Sequence, residues 1–491
     1  MRDYTRKIRN HAAPLSLAVL CLLAAGCTVG PKYIPPTVQT APAYKEAPPA
    51  AWQTAAPSDS TLRGKWWETF ADPQLNALED RIDIGNQNIA AAAANYAAAR
   101  AIVREARAQY LPTLATTPSI TNSRISTIPY AASAAGVNYT ESSLPLTASW
   151  EPDLWGRVRR TVQASAYNAQ ASAADLENVR LLAHADLAAD YFQLQGAEAQ
   201  QQVLNATIAA WQRYLELTRG LYKSGLDDDE ALAAAESQLD AAQAQATNLG
   251  IARAQFEHAI AVLLGESPSA FTLTAASPEP RLTAIPTGIP TALLERRPDI
   301  AAAERAMAAA NAQIGVARAA YFPNITLSGT TGFESLTFAN WFTWPSRFWS
   351  VGPAAAETIF DGGLRKATVR QYQSQYDATV ANYRQTALTA FQQVEDNLAA
   401  LRILDEDLQQ QGAAVDSARR YLSQATARNT AGLDPFLNVL TAQVSLLVYQ
   451  EAYVGFQTQQ KIASVQLIEA LGGGWDTTQL PTPKQVASAA K

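Results

Sequence analysis

Two Ala-rich stretches, one in each half of the chain, have closely related sequences. The first is NIAAAAANYAAARAIVREARAQYLP (Asn88–Pro112), and the second is DIAAAERAMAAANAQIGVARAAYFP (Asp299–Pro323). From Ile89 onward 13 of 24 aligned positions are identical, but nine of these are alanine, so the alanine content inflates the match. The shared isoleucine, arginine, tyrosine and proline positions, all at an offset of 211 residues, indicate a duplicated unit.

The duplication continues to the end of each half. KSGLDDDEAL aligns with NTAGLDPFLN, which pairs Gly225 with Gly432 at an offset of 207 residues. The same offset pairs Gly265 with Gly472. A proline-rich stretch between the halves is typical of a linker. The predicted organisation is a first repeat (72–275), a linker (276–291), a second repeat (292–475) and a flexible tail (476–491).

Each half is expected to contain one long helical hairpin. The proline-free stretches 153–267 and 354–434 are dominated by Ala, Gln, Leu and Glu, which favour helices. Each has one break at a glycine, which predicts hairpins over 156–265 and 361–472. The first long helix would contain 68 residues and measure about 100 Å. Its return helix is shorter, so we expect it to stack end to end with the helix that precedes the strands.

Two strand-like segments follow the first helix of each half, at about 113–123 and 143–154 and at about 324–333 and 349–359. Apolar and polar residues alternate along Ser143–Leu154, as they do both in a transmembrane β-barrel and in an edge strand of a soluble sheet. An aromatic cluster favours the membrane, because such residues form interfacial girdles. Its members are Trp341, Phe342, Trp344, Phe348 and Trp349. Four strands cannot close a barrel, so we expect three copies to supply twelve.

The first 26 residues are typical of an export signal, with a basic segment followed by the short apolar run Ala12–Ala25. The sequence LAAGC that ends at Cys27 is similar to the bacterial lipoprotein cleavage box. This similarity implies a diacylglyceryl group on Cys27 and an acylated N-terminus. An ordinary secretory signal with an incidental cysteine is the alternative. Prolines recur in the residues that follow, which predicts that 27–71 form a lipidated, extended arm.

Composition argues against several classes of function. The chain has a formal charge of −6, and removing a signal with four basic residues and one acidic residue gives −9, which argues against nucleic acid as a partner. The mature chain keeps one cysteine and two histidines, His184 and His258, so we expect no disulfide and no Cys/His metal site. It has no phosphate-binding loop and no nucleophile elbow, so we expect neither an enzyme nor a cofactor beyond the lipid on Cys27. A lipid-anchored periplasmic scaffold without a pore is the rival class.

Five motifs along the mature chain resemble those of the TolC-like outer-membrane factors, in family order. Within that family, the motifs resemble those of the lipoprotein branch, the NodT-type efflux lipoproteins that serve resistance-nodulation-division pumps. LLERRPDI and ALGGGW are the most specific of the five, and the Ala-rich helices are not specific. The motifs are CTVGPKYIPP from Cys27, WWETFADPQLNAL from Trp66, DLWGRVR from Asp153, LLERRPDI from Leu293 and ALGGGW ending at Trp475.

This resemblance implies a mixed α/β membrane protein of the Gram-negative outer membrane, with a large periplasmic part. In that family a homotrimer forms a 12-stranded transmembrane β-barrel continued by a periplasmic α-helical barrel. The implied partners are a periplasmic adaptor, an inner-membrane transporter of the resistance-nodulation-division type, and outer-membrane lipid. The implied function is passive conduction of drugs or other small molecules in a tripartite efflux pump. An exit duct for type I protein secretion is the alternative.

The hairpin turns are the first candidate site. Gly225, Leu226, Gly432 and Leu433 would lie farthest from the strands, and in the family such turns contact the adaptor. An ordinary αα-hairpin turn would also need glycine for its left-handed geometry. Adaptor contact is therefore a hypothesis added to a structural role.

The second candidate site is a gate at the inner mouth. Relatives carry acidic residues just before the second turn, but this chain has Ser423 and Thr426 there, with Arg428 nearby. Acidic residues cluster instead at the first turn, where they also suit the helix dipole; they are Asp227, Asp228, Asp229 and Glu230. The hypothesis is that Arg428 pairs across hairpins with this cluster, and the alternative is that both groups are simply solvated.

Overall fold

A computed structural model describes residues 29–38, 40–46, 64–126, 136–225, 228–274, 285 and 293–488. The predicted signal peptide, Cys27, the turn residues Leu226 and Asp227, and nearly all of the predicted linker lie outside these residues.

The described part of the chain is mainly helical, with one antiparallel sheet. The helices are α1 Pro73–Gly85, α2 Gln87–Ala108, α3 Arg157–Lys223, α4 Asp229–Leu263, α5 Leu293–Arg296, α6 Pro298–Ala319, α7 Leu364–Thr430, α8 Phe436–Ala470 and α9 Pro483–Ala487. The strands are β1 Thr113–Thr116, β2 Ser119–Arg124, β3 Asn138–Trp150, β4 Asn324–Ser335 and β5 Arg347–Ala356.

The predicted duplication is present in the helices. The lengths of α2, α3 and α4, which are 22, 67 and 35 residues, recur in α6, α7 and α8. Each long helix begins at a glycine with positive φ, Gly156 or Gly363. At 1.5 Å per residue each long helix measures about 100 Å. The two long hairpins are therefore confirmed, with ends within three residues of those predicted.

The shorter helices stack end to end, as expected, and glycines make the joints. The side chain of Asn86 caps α2 by accepting from the backbone of Asn88 and Ile89, and its Nδ2 donates to the carbonyl of Leu263 at 2.8 Å. A Cβ on Gly265 would overlap the carbonyl oxygen of Gly85, and one on Gly472 would overlap that of Arg296. Both joints therefore bring backbone directly against backbone, which only glycine permits.

The sheet order is β1-β3-β4-β5, and β2 also pairs with β3. One register relates β3 to both β1 and β2, from Thr113↔Ser149 to Arg124↔Asn138, so β1 and β2 are one interrupted strand. The interruption contains Pro118, opposite the part of β3 that holds Pro145, and proline cannot donate a ladder hydrogen bond. The strand predicted at about 113–123 is therefore present, as the two pieces β1 and β2.

Two other strand boundaries also need correction. The segment predicted as 143–154 is β3, 138–150, and it ends earlier because Asp153 accepts hydrogen bonds from the backbone of Val158 and Arg159 at the start of α3. The segment predicted as 349–359 is β5, 347–356. Asp361 accepts there from the backbone of Gly363 and Arg365, so the chain turns into α7.

The N-terminal arm is extended only in part. Residues 29–38 and 40–46 contact the second repeat, where the Tyr33 hydroxyl donates to Glu304 at 2.5 Å and Glu46 pairs with Arg402 at 3.0 Å. The end of the predicted arm is different, because Trp66–Phe70 form a 3-10 helix with Trp66, Trp67 and Phe70 buried in the main core. Aromatic burial therefore overrides the extended conformation at this end of the segment.

The prediction of a flexible tail over 476–491 was wrong for 476–488. A capping box between Thr482 and Gln485 starts α9, and Val486 is completely buried against Val103. The guanidinium of Arg100 donates to the carbonyl of Ser488 at 2.8 Å. Val486 and Ala487, together with the contact from Arg100, hold this segment against α2 and α3. None of the described helices is both long and apolar enough to cross a membrane.

The α1–α4 joint gives a test of this architecture. Gly265→Ala forces a side chain at φ +72° against the Gly85 carbonyl, so we expect a loss of about 1–3 kcal/mol in stability. Gly250→Ala is the matched control, because a Cβ there meets nothing within 4 Å and the residue is helical. Thermal unfolding of the detergent-solubilised protein measures both, and an equal response of the two variants would contradict the joint.

Candidate functional site

The two hairpin turns form one end of the described chain, and their backbone has the predicted geometry. Gly225 has φ +75° and Gly432 has φ +72°, and a Cβ at either position would meet no atom within 4 Å. Glycine is required here by backbone conformation and not by crowding. Leu433 is 70% exposed. The turns therefore present free surface, and contact with an adaptor there stays a prediction.

Within the chain, Arg428 has a partner in its own turn. Its Nε lies 2.6 Å from Asp434 Oδ2 and its Nη2 lies 3.2 Å from Oδ1. The hydrogen bonds from Arg428 lower the pKa of Asp434 below its usual value. The reversal of the chain after Gly432 brings this carboxylate under the guanidinium, six residues away. Sequence reasoning missed this pair.

The other gate candidates also have local roles within the chain. The Asp228 side chain accepts from the backbone of Ala231 and caps α4, while Thr426 donates to the carbonyl of Leu422. Ser423 and Asp229 are exposed. The acidic cluster begins the return helix of the first hairpin, and Arg428 lies near the end of the long helix of the second hairpin. A pair between them stays a prediction.

The sheet divides its side chains between an apolar and a polar face, as the alternation predicts. The register places Leu146, Ala148 and Trp150 on one face, with Leu327 opposite Trp150. The other face is polar, and the hydroxyls of Thr147 and Thr330 lie 3.4 Å apart there. The apolar face is uncovered in one chain, and its large exposed members include Leu114, Ile120, Leu146, Trp349 and Val351.

Two bands of large apolar residues mark the ends of the sheet. In the first band, beyond β4, Trp341 stacks on Phe342 with ring centroids 4.8 Å apart, and Phe342 packs against Phe333. The second band lies where strands meet helices, and its exposed members are Tyr110, Leu111, Tyr321, Phe322, Ile359 and Phe360. The 12 residues of β4 separate the bands. At about 3.4 Å per residue, the length of β4 exceeds the roughly 25 Å height of the apolar band of a transmembrane barrel, in which the strands are tilted.

Both edges of the sheet lack a strand partner among the described residues. The interrupted strand β1–β2 pairs only with β3, and β5 pairs only with β4. Open edges expose unpaired backbone groups and are not tolerated in lipid. A single chain therefore provides an incomplete membrane-crossing sheet.

Two motifs singled out in the sequence contain structural residues whose roles sequence reasoning missed. In WWETFADPQLNAL, the side chain of Asp72 caps α1 and accepts a hydrogen bond from the Tyr191 hydroxyl at 2.8 Å. In LLERRPDI, Arg297 is 7% exposed and makes two bonds to Asp299 and one to the carbonyl of Ala470 at 3.0 Å. The consecutive arginines were visible in the sequence, but their distant partners were not.

A family comparison can now be set beside this geometry. A sequence profile described as outer membrane efflux protein matches residues 80–266 and 289–473, one match in each half. The chain belongs to the outer membrane efflux protein family. It is the outer-membrane channel of an efflux pump, and its fold is that of the TolC-like channels.

The related proteins match over nearly their whole length. The toluene efflux pump outer membrane protein TtgC of Pseudomonas putida is 30% identical over 462 residues, which cover 94% of this chain and 95% of that protein. The outer membrane protein OprJ of Pseudomonas aeruginosa is 32% identical over 479 residues, with coverage of 96% and 97%. The solved structure of the outer-membrane channel OprN has a TM-score of 0.84 at 30% identity and covers 91% of this chain and 100% of that one.

The buried arginine of LLERRPDI allows a direct test in the efflux channel. Arg297→Lys removes the forked geometry that binds Asp299, and leaves the Ala470 carbonyl and Gln393 without a donor. We expect a loss of about 2 kcal/mol or more in stability, with a matching fall in the unfolding temperature. Arg296→Lys, at the partly exposed neighbour, is the control. Equal effects at the two positions would contradict the role given to Arg297.

Proposed function

We propose that three copies of this efflux channel close one 12-stranded transmembrane β-barrel, continued by an α-helical barrel in the periplasm. The observation that carries the proposal is the pair of open edges, β1–β2 and β5, on a sheet with one exposed apolar face. Three copies would pair every edge, turn the apolar face to lipid and leave the Ser- and Thr-rich face to line the pore. The conduit is passive, and the energy for transport comes from an inner-membrane transporter.

A conductance measurement tests the conduit directly. The purified protein should run as a trimer in native mass spectrometry and should give single-channel conductance after insertion into planar bilayers, because only the closed assembly satisfies the strand edges. Protein denatured before insertion is the control. A conducting monomer, or a stable trimer that never conducts, would contradict the proposal.

The proposed cargo is small lipophilic molecules, such as organic solvents and antibiotics. Its support comes from two relatives, since TtgC of Pseudomonas putida serves a toluene efflux pump and ArpC of the same species serves an antibiotic efflux pump. A channel of this kind works with a periplasmic adaptor and an inner-membrane transporter, here proposed to be of the resistance-nodulation-division type. The adaptor is proposed to bind the turns at Gly225 and Gly432.

The second turn offers a separable test of adaptor binding. Gly432→Val places a β-branched residue at φ +72° in open space, so the strain stays local. We expect the trimer to assemble normally while resistance to the pump's antibiotics falls. Gly220→Val is the control, because Gly220 is an exposed helical residue of α3 close to the first turn. Normal resistance in the Gly432 variant would argue against the turn as the docking site.

We also propose that Cys27 carries the lipid anchor. Support comes from Val29, whose backbone N–H donates to the carbonyl of Trp155 at 3.3 Å, where β3 gives way to α3. This contact places the start of the described chain, two residues after Cys27, at the level where the strands meet the helices. This position suits an acyl chain that enters the inner leaflet.

The anchor is tested by Cys27→Ser. The variant should lose incorporation of labelled palmitate and the processing of lipoproteins, because serine lacks the thiol that is acylated. The barrel should keep the protein in the outer membrane, so fractionation should change less than labelling. Unchanged palmitate incorporation would refute the anchor, and Cys21→Ser, within the predicted signal, is the matched control.

A further inference from the structure

A cavity of about 320 Å³ lies beside the middle of α3, far from the turns and the sheet. Residues from four separate parts of the chain line it: the 3-10 helix at Trp66–Phe70, α1, α3 and the glycines after α8. Its rim is open where Lys65 and Asp80 pair, since each side chain is about half exposed. Neither the conduit nor the adaptor site uses this cavity.

The walls combine indole rings with an excess of carboxylates. Trp66, Trp67 and Trp475 line the cavity and are each at most 8% exposed. The lining also has four carboxylates but only two basic side chains that are always charged. The carboxylates are those of Glu79, Asp80, Asp83 and Glu177, and the basic side chains are those of Lys65 and Arg180.

The basic side chains are already committed to the outer carboxylates. Lys65 lies 2.5 Å from Asp80, and Arg180 bonds Asp83 at 2.8 Å and Glu177 at 2.7 Å. Glu79 is completely buried, and its Oε2 lies 2.6 Å from Nδ1 of His184. Burial lowers the pKa of His184 to about 4, so the imidazole is neutral at neutral pH and supplies no positive charge.

One oxygen of this buried carboxyl group has no partner. Glu79 Oε1 makes no hydrogen bond among the described residues, although it is shielded from solvent and its residue lines the cavity. The indole N–H groups of Trp67 and Trp475 are also buried without a partner there, but they are donors, which an ammonium ion does not satisfy. Buried polar atoms are rarely left unsatisfied, so an unpartnered acceptor beside a cavity points to a missing donor.

We propose that this cavity binds a small molecule that bears a protonated primary amine, with the ammonium group donating to Glu79 Oε1. An ammonium ion supplies both the positive charge and the N–H that the carboxyl group lacks. Indole rings are the best aromatic partners for a cation, and they would pack against its alkyl carbons. A cavity of 320 Å³ is large enough for such a ligand.

The charge state of Glu79 gives binding a second signature. Burial, with the nearby charges of Asp83 and Asp80, raises the pKa of this carboxyl group well above its usual value. An ammonium ion favours the carboxylate form, so binding lowers that pKa and releases a proton. Binding therefore strengthens as the pH rises toward the pKa of the empty site.

Calorimetric titration of the full-length, detergent-solubilised protein with propylammonium chloride tests the proposal. We expect saturable binding with one site per chain, and a heat that depends on the ionisation enthalpy of the buffer. Tetramethylammonium chloride and potassium chloride at equal ionic strength are the ligand controls, because neither cation has an N–H to donate. No saturable binding of propylammonium, or equal binding of all three cations, would overturn the proposal.

Two matched variants distinguish a specific contact with Glu79 from a general attraction of the cation to negative charge. Glu79→Gln keeps the shape but replaces the carboxylate, and should weaken propylammonium binding by about tenfold or more, as the loss of one hydrogen bond to a charged group predicts. Glu177→Gln removes the same charge at the rim and should weaken it much less. Equal weakening by both variants would show that only the overall negative charge attracts propylammonium, and it would overturn the proposed site.

A thermal measurement on the wild type covers the case in which Glu79→Gln does not fold. Propylammonium should raise the unfolding temperature in a saturable manner relative to potassium chloride, because a ligand bound only to the native state stabilises it. The absence of any such shift would count against the site without reference to a variant.

Discussion

The helical wall of this protein depends on joints at which two helix ends meet backbone to backbone. The long helix α3 has 67 residues, and its return helix α4, with 35 residues, is too short to pack along its whole length. The separate 22-residue helix α2 covers the remaining length. The two short helices form a continuous partner only if their ends can touch, as Gly265 and Gly472 allow. The carbonyl of Leu263, which would otherwise end α4 unsatisfied, is bound by the side chain of Asn86. A Cβ at either glycine would overlap a backbone carbonyl oxygen and force the two helix ends apart.

The same duplication sets the limits of the sheet. Each repeat supplies a pair of strand segments between its short helix and its long helix, so one chain yields an arc whose two edges are open. An arc with an apolar face and open edges has no stable place in water or in lipid as a single copy. In the proposed barrel the copy number would therefore depend on the number of repeats in the chain, because every strand edge has to be paired in lipid.

Much of this fold could be predicted, because its signals are periodic and local. Proline-free stretches, glycine breaks and the alternation along β3 gave the ends of the two long hairpins within three residues and the strands approximately. The failures came from single long-range contacts. Val486 is held by Val103, which lies in the first repeat, so composition alone suggested a tail. Pro118 and Pro145 interrupt a strand only because they face the same part of the ladder.

The site residues show the same division. Positive φ at Gly225 and Gly432 followed from the need to reverse a helix, and the structure has it at both. The partner of Arg428 could not be read from charge alone, since Asp434 and the acidic cluster of the first turn are equally acidic in sequence. Chain reversal placed one of them at 2.6 Å. Glu79 and His184, 105 residues apart, gave no sequence signal at all, because each looks like an ordinary helix residue until α1 packs on α3.

Packing is distributed unevenly along the long helices, and this bears on how such a channel can open. The largest apolar core joins Trp66, Trp67 and Phe70 to the middle of α3 and to the ends of α4 and α8. Towards the turns the buried cluster between α7 and α8 shrinks to Val415, Ala418 and Leu446. Regions with few buried apolar contacts open at lower free energy than the core. The turn end of the helices can therefore shift at a lower free energy than the middle, where the largest apolar core lies.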